Sequence, residues 1–161
     1  MEKIDSQIFE MDEKTLVFDT SRSILFCKQI DNKIQWAKKI TNILSIDEII
    51  EDQNNYYIIC EVNESSGLYI SVKKSNGNTL WDIPGKSYLQ IQHENFLYLI
   101  FIDANEKYYL IKVDKEDGKK LWHYKVDIDL CEYKIDPGVI SLIYSSGKTE
   151  SISSLTGKQL Y

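Results

Sequence analysis

Histidine, proline, cysteine and long apolar runs are all scarce in this chain of 161 residues, and each shortage removes a class of explanation. No stretch of 18 apolar residues occurs, so no segment reads as a membrane-spanning helix. Only two prolines are present, which leaves strand ladders unbroken. The three cysteines, Cys27, Cys60 and Cys131, stand 33 and 71 positions apart with no CxxC pair. An odd number at that spacing reads as buried free thiols in a reducing compartment. A basic excess is also missing: 19 Lys and Arg face 25 Asp and Glu, a net charge of −6. Nucleic acid and anionic membranes are therefore not expected partners, because both demand a basic face. The opening residues MEKIDSQIFEMDEK lack the basic start, apolar stretch and small-residue cleavage site of a secretory signal, so the chain reads as cytoplasmic.

Catalytic motifs are missing too. No GxSxG, HExxH, P-loop or GxGxxG pattern is found. His93 and His123 stand apart in sequence, and each reads as a surface or hydrogen-bonded side chain rather than a general base. The stretch Asp114-Lys115-Glu116-Asp117-Gly118 places acids ahead of a glycine as a calcium loop does. Its acids do not alternate, however, and no bidentate Glu follows at the right distance. No catalytic, cofactor-binding or metal-binding residue is assigned, and the chain is expected not to be an enzyme.

What is present is tyrosine, eleven of them, and a repeat. Four segments align: IDNKIQW (30–36), SNGNTLW (75–81), EDGKKLW (116–122) and LTGKQLY (155–161). Each carries a turn residue (Asn32, Gly77, Gly118, Gly157) and an aromatic four positions later (Trp36, Trp81, Trp122, Tyr161), at intervals of 45, 41 and 39 residues. The dipeptides Asp31-Asn32, Asn76-Gly77, Asp117-Gly118 and Thr156-Gly157 tolerate the positive φ that hairpin connections require. An alternating strand precedes each turn and a short strand follows it. Upstream lies a further strand such as Phe96–Ile102, whose unbroken apolar run suits burial on both faces. With a weaker segment before that, each period holds four short antiparallel strands, the size of one propeller blade. The segment 43–52 is ambiguous, since Ile43, Ile46, Ile49 and Ile50 would also suit one face of a helix. Its counterparts YLQIQH and LCEYKI favour a strand. The expected fold is all-β, a single propeller domain over 1–161 with blades at about 4–40, 41–84, 86–127 and 128–161.

The run from Val113 to Trp122, VDKEDGKKLW, resembles the repeat of the quinoprotein-type (PQQ-like) β-propellers, roughly Asp-x-x-Thr-Gly-Lys-x-x-Trp. Thr156-Gly157-Lys158 with Tyr161 is a second match, and Gly77 with Trp81 a third. The resemblance implies that Trp36, Trp81, Trp122 and Tyr161 dock between adjacent blades, where a large aromatic buries about 150–250 Å². Enzymes of that family carry a quinone and calcium, usually on eight blades, and place adjacent cysteines near the cofactor. This chain has four repeats and no adjacent cysteines, so it resembles the non-enzymatic scaffolds, with no cofactor expected. Four blades imply either a four-bladed ring or half of an eight-bladed one. A closed monomer is favoured over a homodimer.

Acids cluster at Asp47, Glu48, Glu51 and Asp52, and again at Asp127, Asp129, Glu132 and Asp136. Charge of this kind discourages sheet-to-sheet aggregation, and it also steers basic partners. Of these, Asp47, Glu48, Glu51, Asp52, Asp127 and Asp129 are the candidate partner-binding residues. The expected function is a non-enzymatic protein-binding module, in its specific form an acidic inhibitor or immunity protein neutralising a cationic toxin. The alternative is a small-ligand-binding or enzymatic propeller with its site in the central channel.

Overall fold

A computed structural model describes residues 5–160 as fifteen β-strands joined by turns, with no helix among them. The strands form four sheets, each a simple antiparallel meander in chain order. The first sheet holds β1 (Ser6–Glu10), β2 (Thr15–Asp19), β3 (Ile24–Lys28) and β4 (Ile34–Lys39). The second holds β5 (Ser45–Glu51), β6 (Asn55–Glu61), β7 (Gly67–Lys73) and β8 (Thr79–Pro84). The third holds β9 (Lys86–His93), β10 (Phe96–Ile102), β11 (Tyr108–Asp114) and β12 (Lys120–Val126), and the fourth β13 (Leu130–Asp136), β14 (Val139–Tyr144) and β15 (Thr149–Ser153). The fourth sheet departs from the expected four strands: after β15 only a single bridge, Ile152 to Gln159, extends it among the described residues. Tyr161, the expected aromatic of the last repeat, lies outside them.

The chain divides into two compact units, the first ending at Lys86 and the second beginning at Ser87. The core of the first gathers Leu16, Phe18, Leu25 and Cys27 of one blade against Ile46, Tyr56, Ile58 and Val72 of the next. In the second, Tyr98, Ile100 and Leu110 meet Tyr133, Ile140, Leu142 and Ile152. Strand composition explains the pattern. In β2 and β3 burial alternates, as period-2 sequences dictate, while Tyr56–Cys60 and Leu97–Ile100 are buried at every position, as their continuous apolar runs foretold. Each large side chain so buried contributes roughly 1.5–3 kcal/mol.

The ambiguous segment is a strand, and its helix-like spacing has a cause. Ile46 pairs with Cys60 but Glu48 with Ile59, so Asp47 is an extra, bulged residue. The bulge shifts the side-chain parity, which lets Ile46 and Ile49, three apart, both pack on the core. The same irregularity between Leu130 and Glu132 explains a departure from expectation. Cys27 and Cys60 are buried free thiols, but Cys131 is the bulged residue and is exposed.

At the turns, positive φ falls on the second residue of each dipeptide alone: Asn32 (65°), Gly77 (77°), Gly118 (74°) and Gly157 (71°). The first residue has a different task. Asp31, Asn76, Asp117 and Thr156 each accept a hydrogen bond from the amide two positions on, at 3.1, 2.9, 2.9 and 3.3 Å. Short polar side chains are selected there because they fold back on their own backbone.

The repeat's two signature residues meet one period apart. A Cβ on Gly77 would lie 2.5 Å from Cε3 of Trp36, and one on Gly157 2.5 Å from Cδ2 of Trp122. The indole of one blade thus lies flat on the turn glycine of the next. The indole N–H completes the seat: Trp36 Nε1 donates to the Lys74 carbonyl at 2.7 Å, and Trp122 Nε1 to the Ser154 carbonyl at 3.0 Å. Both acceptors precede the turn glycine by three residues.

Candidate functional sites

Within the first unit, the turns of its two blades converge on a cleft of about 870 Å³. Its walls come from the β1–β2 loop (Asp12–Lys14), the end of β5 with the following loop (Glu51–Asn54) and the start of the β7–β8 turn (Lys74). Two of the expected partner-binding acids sit here, and both are already engaged. Glu51 pairs with Lys74 Nζ at 2.6 Å and accepts the Asp12 amide at 3.0 Å. Asp52 accepts the Tyr57 hydroxyl at 2.6 Å and caps the turn through the amides of Asn54 and Asn55. Lys74 Nζ also lies 5.2 Å from the centroid of the Tyr56 ring. The cleft is lined mainly by polar and charged side chains of both signs, among them the Glu51–Lys74 ion pair.

Asp47 and Glu48 are placed elsewhere in the same unit, exposed at the β5 bulge. The backbone beside them is held by an amide from the neighbouring blade: Gln7 donates Nε2 to the Ile46 carbonyl at 2.9 Å and accepts the Ile46 amide at 2.8 Å. The Asp47 carboxyl is pushed above its usual range, first by partial burial and then by the charge of Glu61, with Lys86 acting in the opposite sense. Glu61 was not a candidate from sequence. It lies fourteen residues away and is brought close by β5–β6 pairing, for which no local signal exists.

The second unit holds Asp127 and Asp129. Asp127 faces Lys148 Nζ at 3.5 Å. Asp129 accepts the Ser146 amide at 3.3 Å and the Ser145 hydroxyl at 3.5 Å. Within the first unit, Glu51 and Asp52 are set apart from Asp47 and Glu48. The first pair lines the cleft and the second stands on the exposed bulge, while in the second unit Asp127 and Asp129 each make loop contacts. His123 is exposed and stacks edge-on against Tyr109 at 5.3 Å, beside a small pocket lined by Phe101, Asp103 and Lys120. Among the described residues no group of three or more His, Cys, Asp or Glu is placed to hold a metal ion, and no helix is long and apolar enough to cross a membrane.

Antiparallel meanders of three or four strands, joined within each unit by an indole-on-glycine seat, define a class: the fold is that of a β-propeller, and its sheets fit four blades. No protein-family model matches the chain, and no curated protein does. Solved structures do match. The chain is similar to the computationally designed Ika4 protein (TM-score 0.66, 8% identity, 95% of this chain and 94% of that one). It is similar to the dihydro-heme d1 dehydrogenase NirN in complex with DHE (0.68, 10%, 98% and 36%). A third is the quinohemoprotein alcohol dehydrogenase from Comamonas testosteroni (0.63, 10%, 99% and 34%). The chain spans about a third of the length of these two enzymes and 47% of the designed Ika8 protein. At such identity the likeness carries the fold alone.

Proposed function

We propose that this propeller chain is a non-enzymatic protein-binding module whose partner is basic, and that the exposed bulge carrying Asp47 and Glu48, beside Glu61, meets that partner. The observation that carries this reading is the exposed Asp47–Glu48 pair at the β5 bulge, with the charge of Glu61 acting on Asp47. The Asp47 carboxyl is held above its usual range first by partial burial and then by Glu61, and an arriving Lys or Arg offsets that second, like-charge part. The bulge adds to this, since bulges re-aim side chains and the Gln7 clamp fixes the strand beside it. In the narrower form, an inhibitor or immunity protein neutralising a cationic toxin, the net charge of −6 favours fast, steered association.

The test is affinity capture from the source cell with the unaltered chain and with the double variant Asp47→Lys, Glu48→Lys. A basic partner should be held by the former, released by added salt, and lost with the latter. Retention of that same partner by the double variant would overturn the reading. For the toxin form, co-expression with the captured partner should restore growth that the partner alone suppresses.

A second reading, a small polar ligand, is favoured by the cleft of the first unit, whose volume falls within the usual range of about 300–1,000 Å³ for such sites. Here the site would lie between two blades. Ligand-induced stabilisation that vanishes in Lys74→Met would select it over protein docking.

A further inference from the structure

The two faces of the first sheet meet different fates. One carries Leu16, Phe18, Leu25 and Cys27, all fully buried, with Trp36, in the core shared with the second sheet. The other is apolar along its middle and open. Ile8, Val17, Phe26 and Ala37 pair in turn on β1, β2, β3 and β4, so they form one row straight across the sheet. Ile8 is 65% exposed, Ala37 is exposed, and Val17 and Phe26 are only partly buried. Asp19 and Lys39 flank the row on one side, and Glu10, Thr15 and Lys28 on the other. An apolar centre inside a polar rim is the anatomy of a docking surface. A sheet face meant for water carries polar residues at such positions.

The fourth sheet shows the contrast. On the face opposite its core, the middle row is Lys134, Ser141 and Ser151, polar on every strand. Nor is the open face of the first sheet built to receive the indole of a further repeat. Its turn has Asn32 where the two seats have glycine, and a Cβ at those glycines would lie 2.5 Å from the indole. The Gln29 carbonyl, three residues before Asn32, is already taken by the Asn32 amide at 2.9 Å.

Two features point instead to the same face of a second copy. Read in reverse strand order the row matches itself: Ile8 meets Ala37 and Phe26 meets Val17, larger against smaller each time. The rim is also divided by sign. Glu10 stands on β1, and Lys28 and Lys39 on β3 and β4, while Asp19 is held by Arg22, which lies 5.5 Å from the Phe26 ring centroid. Reversing the strand order brings the Glu10 side of one copy over the Lys28 side of the other.

We propose that this chain forms a two-fold dimer in which the Ile8–Val17–Phe26–Ala37 rows of two copies pack face to face, the axis running along the strands between β2 and β3. Four strands of five or six residues offer roughly 19 Å by 17 Å. That is less than the about 800 Å² per partner of a standard interface, so the association is weak and reversible. It uses neither Asp47 nor Glu48 and is independent of the basic-partner reading.

Sedimentation equilibrium of the full chain tests it. The apparent mass should climb from 18.8 kDa toward twice that value between about 0.01 and about 1 mM. A two-fold interface counts every substitution twice. Ile8→Lys and Ala37→Arg, both at exposed positions, should each weaken association more than about tenfold and leave the melting temperature of the dilute protein unchanged. Glu10→Lys should weaken it severalfold, and adding Lys28→Glu to the same chain should restore it, because the rims then meet with signs exchanged. A mass that stays at one chain throughout, as the closed monomer expected from the repeat requires, would overturn the proposal. So would a dimer that survives both Ile8→Lys and Ala37→Arg, since it would be built on another face.

Discussion

The seam inside the first unit and the seam inside the second are built on one plan with different chemistry. In both, an indole lies on the turn glycine of the next blade and donates to the carbonyl three residues before it. The residue paired across the strand from the indole differs. Cys27 faces Trp36, a buried thiol whose pKa burial raises, whereas Lys112 faces Trp122. Lys112 is almost fully buried. Its ammonium donates to the same Ser154 carbonyl at 2.8 Å and lies over Phe96 at 4.0 Å. In the first seam the nearby ammonium arrives instead from the receiving turn, as Lys74 over Tyr56. The receiving blades differ as well. One has a full fourth strand, β8, and the other a single bridge. The common elements are the indole, the glycine and the carbonyl, so these three suffice for the seat, and the lysine can come from either side.

The largest expected effect comes from removing the indoles. Trp36→Ala and Trp122→Ala should each cost about 3–5 kcal/mol, with the greater loss at Trp36, which is more deeply buried. Denaturant unfolding measures both. Equal stability of Trp122→Ala and the parent would mean that the second seat does not form.

Glycine substitutions come next. Gly77→Ala and Gly157→Ala each impose left-handed backbone strain of about 1–3 kcal/mol, and the added methyl must also displace an indole 2.5 Å away. Both should lower the melting temperature by several degrees. A silent Gly157→Ala would show that the shorter blade yields where the longer one does not.

Lys112→Met sharpens the comparison from the other side. Burial lowers the Lys112 pKa, so its charge is a burden on the fold at neutral pH. Trp122 still satisfies the Ser154 carbonyl after the change. Stability should move by less than about 1 kcal/mol, in the favourable direction; a large loss would make the ammonium essential to the second seam.

Acid titration gives a smaller effect. Asp19 is held down to about 2, first by the Ser21 hydroxyl and then by Arg22. A depressed folded pKa means stability that is present above the unfolded value of about 3.9 and lost as pH falls through about 2. Asp19→Asn should flatten the acid limb of the stability curve, and an unchanged limb would assign acid sensitivity elsewhere. The smallest effect is at Asp47, whose shift has the opposite sign. Its raised pKa means that the folded form gains relative stability as pH drops, so Asp47→Asn should raise the melting temperature slightly at pH 7 and leave it unchanged in acid.

Much of the fold was legible because its signals are local. Alternation in Tyr108–Val113 and the apolar run Phe96–Ile102 fix strands through the two-residue period. Asp31-Asn32 and its counterparts fix turns through a capping side chain and one positive φ. The acids were legible as residues but not as a site. Asp52 and Glu51 were consumed by their own turn and by Lys74, and Asp47 acquired its character from Glu61. A bulge at Asp47 also gave Ile46 and Ile49 a helical spacing inside a strand, which no window of sequence distinguishes from a helix.

By itself, then, the sequence determined the period, the turn positions and the aromatic of each repeat, because φ preference and side-chain alternation act over a few residues. Only the tertiary structure decided that Trp36 rests on Gly77 and Trp122 on Gly157, that the charge of Glu61 acts on Asp47 at a bulge, and that Lys148 lies between Asp127 and Glu150. Those contacts join residues from 2 to 41 positions apart. They depend on which strands pair and in what register, and a register is set by the burial of whole faces rather than by any one residue.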